Sequence, residues 1–146
     1  MKKIVILILI IFLTGCNKYI TCTVDIENNS MEYKYTAKYK VYSDGKYVTK
    51  VEKKETYIAR TKTAYKYLKE SKELEYDMLS STYGGYDYNI ETTSTGVKIK
   101  STVDFKKLDV KKLVNDKKID KYYVSGDKVL LSGLKKHYEG KSFVCK

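Results

Sequence analysis

The sequence predicts an α+β domain: a mainly antiparallel sheet with helices packed on one face. Two observations carry this. Stretches of period-two alternation, rich in β-branched and tyrosine residues, recur along the chain and are separated by Asn, Asp, Ser and Gly turn signals. Strand–turn–strand stretches starting at Met31 and at Tyr86 are each followed by a segment with helical spacing. The two units share an architecture and no sequence identity. Hairpins that keep one face polar need helices on the other face only.

Ile20, Cys22, Val24 and Ile26 alternate with Thr21, Thr23, Asp25 and Glu27, which gives a half-buried first strand. Asn28-Asn29-Ser30 turns the chain. Tyr33, Tyr35, Ala37, Tyr39 and Val41 then line one face of a strand, with Lys34, Thr36, Lys38 and Lys40 on the other. Asp44-Gly45 signals a hairpin. Tyr47, Thr49 and Val51 begin the returning strand, which runs towards Ile58 with a charged, edge-like middle. Thr61 or Thr63 can cap a helix. Tyr67, Ser71, Leu74 and Met78, beside Ala64 and Leu68, form its expected core stripe, and Gly84-Gly85 should end it.

In the second unit Tyr86, Tyr88, Ile90 and Thr92 alternate, Ser94-Thr95-Gly96 turns, and Val97, Ile99, Ser101 and Val103 alternate again. A short helix is expected over residues 109–116, with Val110, Leu113 and Val114 inward. Residues 117–126 read as a loop in which Tyr122, Tyr123 and Val124 could pair briefly. Ser125 or Asp127 can cap a last helix carrying Val129, Leu130, Leu134 and Tyr138, with Gly140 ending it in the left-handed conformation. Residues 142–146 close the chain as a strand with Phe143 and Cys145 on one face.

The N-terminus sets the address. Lys2 and Lys3 precede an apolar run from Ile4 to Leu13, and small residues lead into Cys16. That order of basic, apolar and small parts is a secretory signal over residues 1–15. An uncleaved anchor helix is the alternative, but a membrane span needs about 20 apolar residues. Leu13-Thr14-Gly15-Cys16 resembles the lipobox of bacterial lipoproteins. The resemblance implies cleavage before Cys16 and a diacylglyceryl group on its sulfur. Two acyl chains hold a protein stably on a membrane where one holds it marginally. The expected layout is a signal over residues 1–15, a lipidated tether over 16–19 and one domain over 20–146, on the extracytoplasmic face of a bacterial cell membrane.

Loss of Lys2 and Lys3 with the signal takes the net charge from +11 to +9. Such a surface attracts anionic headgroups, wall polymers or nucleic acid. A chain anchored outside the membrane meets the first two, so no nucleic acid is expected. The simplest reading remains a solvated basic surface. With Cys16 lipidated, Cys22 and Cys145 remain as a pair in an oxidising compartment, which predicts a disulfide. Two free thiols in apolar strands are the alternative. A bridge would require the first and last strands to be neighbours.

No catalytic constellation stands out. His137 is the sole histidine and falls in the last turn of a predicted helix, so no metal cluster is expected, and no cofactor. G-x-S-x-G, P-loop and G-x-G-x-x-G motifs are lacking. Glu73 with Glu75, and Asp104 with Asp109, sit among lysines and read as solvated faces. The pairs Lys106-Lys107, Lys111-Lys112, Lys117-Lys118 and Lys135-Lys136 read the same way, although with nearby tyrosines they could hold a polymer. An enzyme is not expected.

Leu13-Thr14-Gly15-Cys16, the Thr102-Val103-Asp104-Phe105 strand exit with its following helix, and the stretch from Leu130 to Cys145 together resemble the YehR-like small bacterial lipoproteins. The resemblance implies one compact lipidated α+β domain and brings no catalytic residues. The expected role is a non-catalytic envelope module that binds a protein or an anionic polymer. The alternative is an inhibitor or accessory protein of a secreted or envelope enzyme.

Overall fold

The computed structural model describes residues 19–27 and 32–146. The signal over 1–15, Cys16, most of the tether, and the Asn28-Asn29-Ser30 turn with Met31 lie outside the described residues. In chain order the elements are β1 (Tyr19–Ile26), β2 (Tyr33–Ser43), β3 (Val48–Ala59), α1 (Lys62–Tyr83), β4 (Tyr86–Thr92), β5 (Gly96–Asp104), α2 (Val110–Asn115), a single 3-10 turn (Lys121–Tyr123), β6 (Val124–Ser125), β7 (Lys128–Val129), α3 (Leu131–Glu139) and β8 (Val144–Cys145). Six strands form one antiparallel sheet in the order β4-β5-β3-β2-β1-β8, and β6 pairs with β7 separately. The fold is α+β, as the alternation predicts.

One sheet face carries the core. Cys22 and Val24 of β1, Ala37, Tyr39 and Val41 of β2, Val51 and Tyr57 of β3, and Val97, Ile99 and Val103 of β5 are all buried on it. Ala64, Leu68, Tyr76 and Tyr83 of α1 and Leu134 and Tyr138 of α3 pack down onto that face. Each fully buried large aliphatic side chain contributes about 1.5–3 kcal/mol. The opposite face carries no helix, and of its strand residues only Gly96 is buried.

The hairpin between β2 and β3 forms at Asp44-Gly45. Asp44 Oδ1 accepts from the backbone N–H of Lys46 at 3.0 Å and of Tyr47 at 2.7 Å. Gly45 has φ +106°, and a Cβ there would meet nothing within 4 Å. The penalty for a side chain at Gly45 is therefore pure backbone strain. Gly45→Val is expected to destabilise by about 1–2 kcal/mol; an unchanged urea midpoint would show that the turn tolerates an L-residue.

Five expectations are corrected. β3 is not edge-like: it lies between β2 and β5 and pairs along its whole length. A register shift at Tyr42/Ser43 turns Val48, rather than Tyr47 and Thr49, towards the core. The expected α1 stripe holds only at Ala64 and Leu68. Thr61 caps the helix by accepting from Ala64 N at 3.1 Å, but Tyr67, Leu74 and Met78 are 68%, 70% and 48% exposed. The inward line is Ala64, Leu68, Lys72, Tyr76 and Tyr83, with Lys72 contributing its stem. α3 starts later than expected and without a side-chain cap, because Leu130 bridges Tyr47 and Val129 pairs with Val124. Gly140 does end α3, but in the right-handed region at φ −63°. The left-handed residue beyond it is Ser142, at φ +69°.

Candidate functional site

Sheet register decides which charges meet. On the uncovered face Lys38 of β2 stands directly opposite Lys54 of β3, and Lys54 directly opposite Lys100 of β5. Thr23 and Asn89 extend the row on β1 and β4. Neighbouring strands are about 4.8 Å apart, so the three ammonium groups share roughly 10 Å of surface. Like charges directly opposite destabilise a sheet. Only Lys100 has a carboxylate partner, Glu91 at 3.1 Å. Lys38, Lys54 and Lys98 are exposed and have no ion-pair partner among the described residues.

Aromatic residues close one end of this face. The rings of Tyr19 and Tyr42 lie 5.3 Å apart, with Lys40 4.9 Å above the first and Lys50 4.3 Å above the second. Glu52 accepts from Lys50 at 2.7 Å and from Tyr42 at 3.0 Å. The Lys50 hydrogen bond leads in holding the Glu52 carboxyl below its ordinary value. At the other end Lys34 meets Asp25 at 3.5 Å and Glu27 at 3.1 Å. The middle of the face is thus its unneutralised part.

Beneath this face, on the helix side of β3, Glu55 is only 6% exposed. Its Oε1 accepts from the hydroxyls of Tyr39 at 2.8 Å and Tyr35 at 2.9 Å, with Tyr57 at 3.5 Å; its Oε2 accepts from Tyr76 of α1. Burial alone would raise the Glu55 pKa, but the Lys53 charge and the tyrosine hydroxyls outweigh it and the value falls below the ordinary one. The same burial, with the Glu55 charge, pushes all four tyrosines up. A carboxylate held by four donors in this way ties β2, β3 and α1 together.

The structure joins Cys22 and Cys145 in a disulfide, directly opposite each other in the β1–β8 pairing. His137 lies in the last turn of α3, half-buried, and burial pulls its pKa down. Glu73 and Glu75 are exposed on α1, and Asp109 caps α2 by accepting from Lys112 N at 2.9 Å. The paired lysines at 106/107, 111/112, 117/118 and 135/136 are exposed on turns and helices and join no common surface with the lysine row. Sequence reading placed Lys34, Lys38 and Lys40 on one face; it missed that Lys54 and Lys100 complete the row, because register between strands is not written in either strand alone. No group of metal-ligating side chains occurs among the described residues. Nor is any described helix long and apolar enough to cross a membrane.

Fold and surface together define a class: an antiparallel sheet covered by helices on one side and bearing lysines on the other. No protein-family model and no curated protein matches the chain. Among solved structures it is similar to an NMR structure of a protein from Streptococcus pneumoniae TIGR4, at 15% identity and a TM-score of 0.51, over 90% of this chain and 87% of that one. At that identity the likeness concerns the fold.

Proposed function

We propose that this chain is a lipid-anchored envelope protein, held through Cys16 on the extracytoplasmic face of a bacterial membrane, whose uncovered sheet face binds an anionic envelope polymer without catalysis. The observation that carries this reading is the Lys38–Lys54–Lys100 row, in which Lys38 and Lys54 have no counter-charge in contact among the described residues. A polyanion laid across the strands supplies several at once, while the Tyr19–Tyr42 pair offers stacking surface at one end. An inhibitor or accessory protein acting through sheet tyrosines is the alternative. Tyr35, Tyr39 and Tyr57 turn inward, which leaves that reading Tyr19 and Tyr42.

The test is binding to poly(glycerol phosphate). Changing Lys38, Lys54 and Lys100 together to Gln is expected to weaken binding at least tenfold and to flatten its salt dependence. Changing Lys106, Lys107 and Lys111 to Gln removes the same charge elsewhere and should cost much less. Equal losses from the two triple variants would reduce the effect to net charge and defeat the proposal.

A further inference from the structure

The cleft that holds Glu55 opens into a cavity of about 620 Å³ between the sheet, α1 and α3. Small-molecule pockets run from roughly 300 to 1,000 Å³. Its two carboxylates are already matched. Tyrosine hydroxyls donate to both oxygens of Glu55, and Lys72 meets Glu75 at 2.7 Å. Three of its lysines make no such contact. Lys53, Lys118 and Lys141 border the cavity and have no ion-pair partner among the described residues. Lys53 projects from β3 with its ammonium 5.3 Å from the Tyr39 ring centre and 5.8 Å from that of Tyr86. Val51, Leu79, Val103, Leu134 and Phe143 supply an apolar wall.

We propose that this cavity binds a small organic anion, a carboxylate whose charged end meets the Lys53 ammonium and whose apolar body lies against that wall. The charge count of the lining favours an anion, since both acids are consumed internally and the remaining groups are basic. The aromatic rings favour a ligand with a flat or hydrocarbon body over an inorganic ion. Burial pulls the Lys53 pKa down and the Glu55 charge opposes this without an ion-pair contact to the ammonium, so a bound carboxylate supplies the direct partner that Lys53 lacks. The site lies on the sheet face opposite the lysine row and stands or falls independently of polymer binding.

The experiment is a titration of the full-length chain in lipid vesicles with cinnamate, and separately with cinnamamide, which keeps the body and loses the charge. Protein-free vesicles set the background. Cinnamate is expected to bind saturably and at least tenfold more tightly than cinnamamide. Lys53→Met, which keeps the stem and removes the ammonium, should bring cinnamate down to the cinnamamide level and leave cinnamamide unchanged. Equal affinities for the two probes, no saturable cinnamate binding, or full cinnamate affinity in a folded Lys53→Met variant would each overturn the proposal. Should the variant not fold, the wild type decides. Cinnamate must shift the NMR signals of Tyr39 and Tyr86 and leave those of Lys38 and Lys54 in place, and the reverse pattern defeats the site.

Discussion

Glu55→Ala is expected to destabilise the protein by several kcal/mol, since each buried hydroxyl left without its acceptor costs about 1–3 kcal/mol. Four tyrosine hydroxyls converge on this carboxylate from β2, β3 and α1. Alanine leaves them without their acceptor and leaves Lys53 without its nearest counter-charge. Glu55→Gln keeps the volume and one acceptor oxygen, so it should cost less than alanine. The pH profile follows from the shifts. Glu55 titrates below its ordinary value in the fold, so its contribution is complete above about pH 4.3 and is lost as pH falls through the folded value. The tyrosines are raised, so their contribution is complete below about pH 10 and declines as pH rises beyond it. Urea midpoints of wild type and both variants across this range measure the effect. Phenolate absorbance should appear together with unfolding rather than before it. A Glu55→Ala midpoint equal to that of wild type would show that the cluster holds nothing together.

The same charged cleft explains where the sequence was hard to read. β2, β4 and β5 alternate cleanly because their inward residues are uncharged, mostly apolar or tyrosine with Ser101 and Thr92 among them, so their faces were legible. In β3 the inward positions include Lys53 and Glu55, and period-two reading takes such a stretch for an edge. In α1 the inward line contains Lys72, whose ammonium sits 4.5 Å above the Tyr57 ring and pairs with Glu75. Tyr67, Leu74 and Met78 then make the more convincing stripe, and they point outward. Both misreadings come from ionic residues that face the interior because partners wait for them there. Those partners lie on other strands and helices, beyond the reach of a local pattern. The lysine row was half legible for a related reason: alternation assigns each lysine to a face, while only the pairing sets Lys54 between Lys38 and Lys100.

Removing the disulfide is expected to cost about 2–5 kcal/mol. The bridge spans a sequence separation of 123 residues. In the chain-entropy account, closing a loop of about 100 residues contributes roughly 4.7 kcal/mol by restricting the unfolded chain. The folded side of the balance points the same way. β8 has only two residues and sits at the sheet edge, where terminal strands fray most readily. Beyond the Cys22–Cys145 pair it is held by reciprocal backbone bonds between Thr21 and Lys146, each 2.8 Å, and by Phe143 packed 4.7 Å from the Tyr39 ring. Without the bridge, Phe143 is expected to stay seated while the residues after it open. Cys22→Ala with Cys145→Ala should therefore lower the melting temperature by several degrees or more. Amide exchange should accelerate first at Thr21 and Lys146, ahead of β3 and β5 in the sheet interior. Intact mass of the untreated protein should be two hydrogens below that of the reduced chain. Titratable thiols at Cys22 and Cys145 in folded protein purified under air would sink the bridge. Unchanged exchange at Thr21 and Lys146 in the double variant would show that pairing and Phe143 alone hold the last strand.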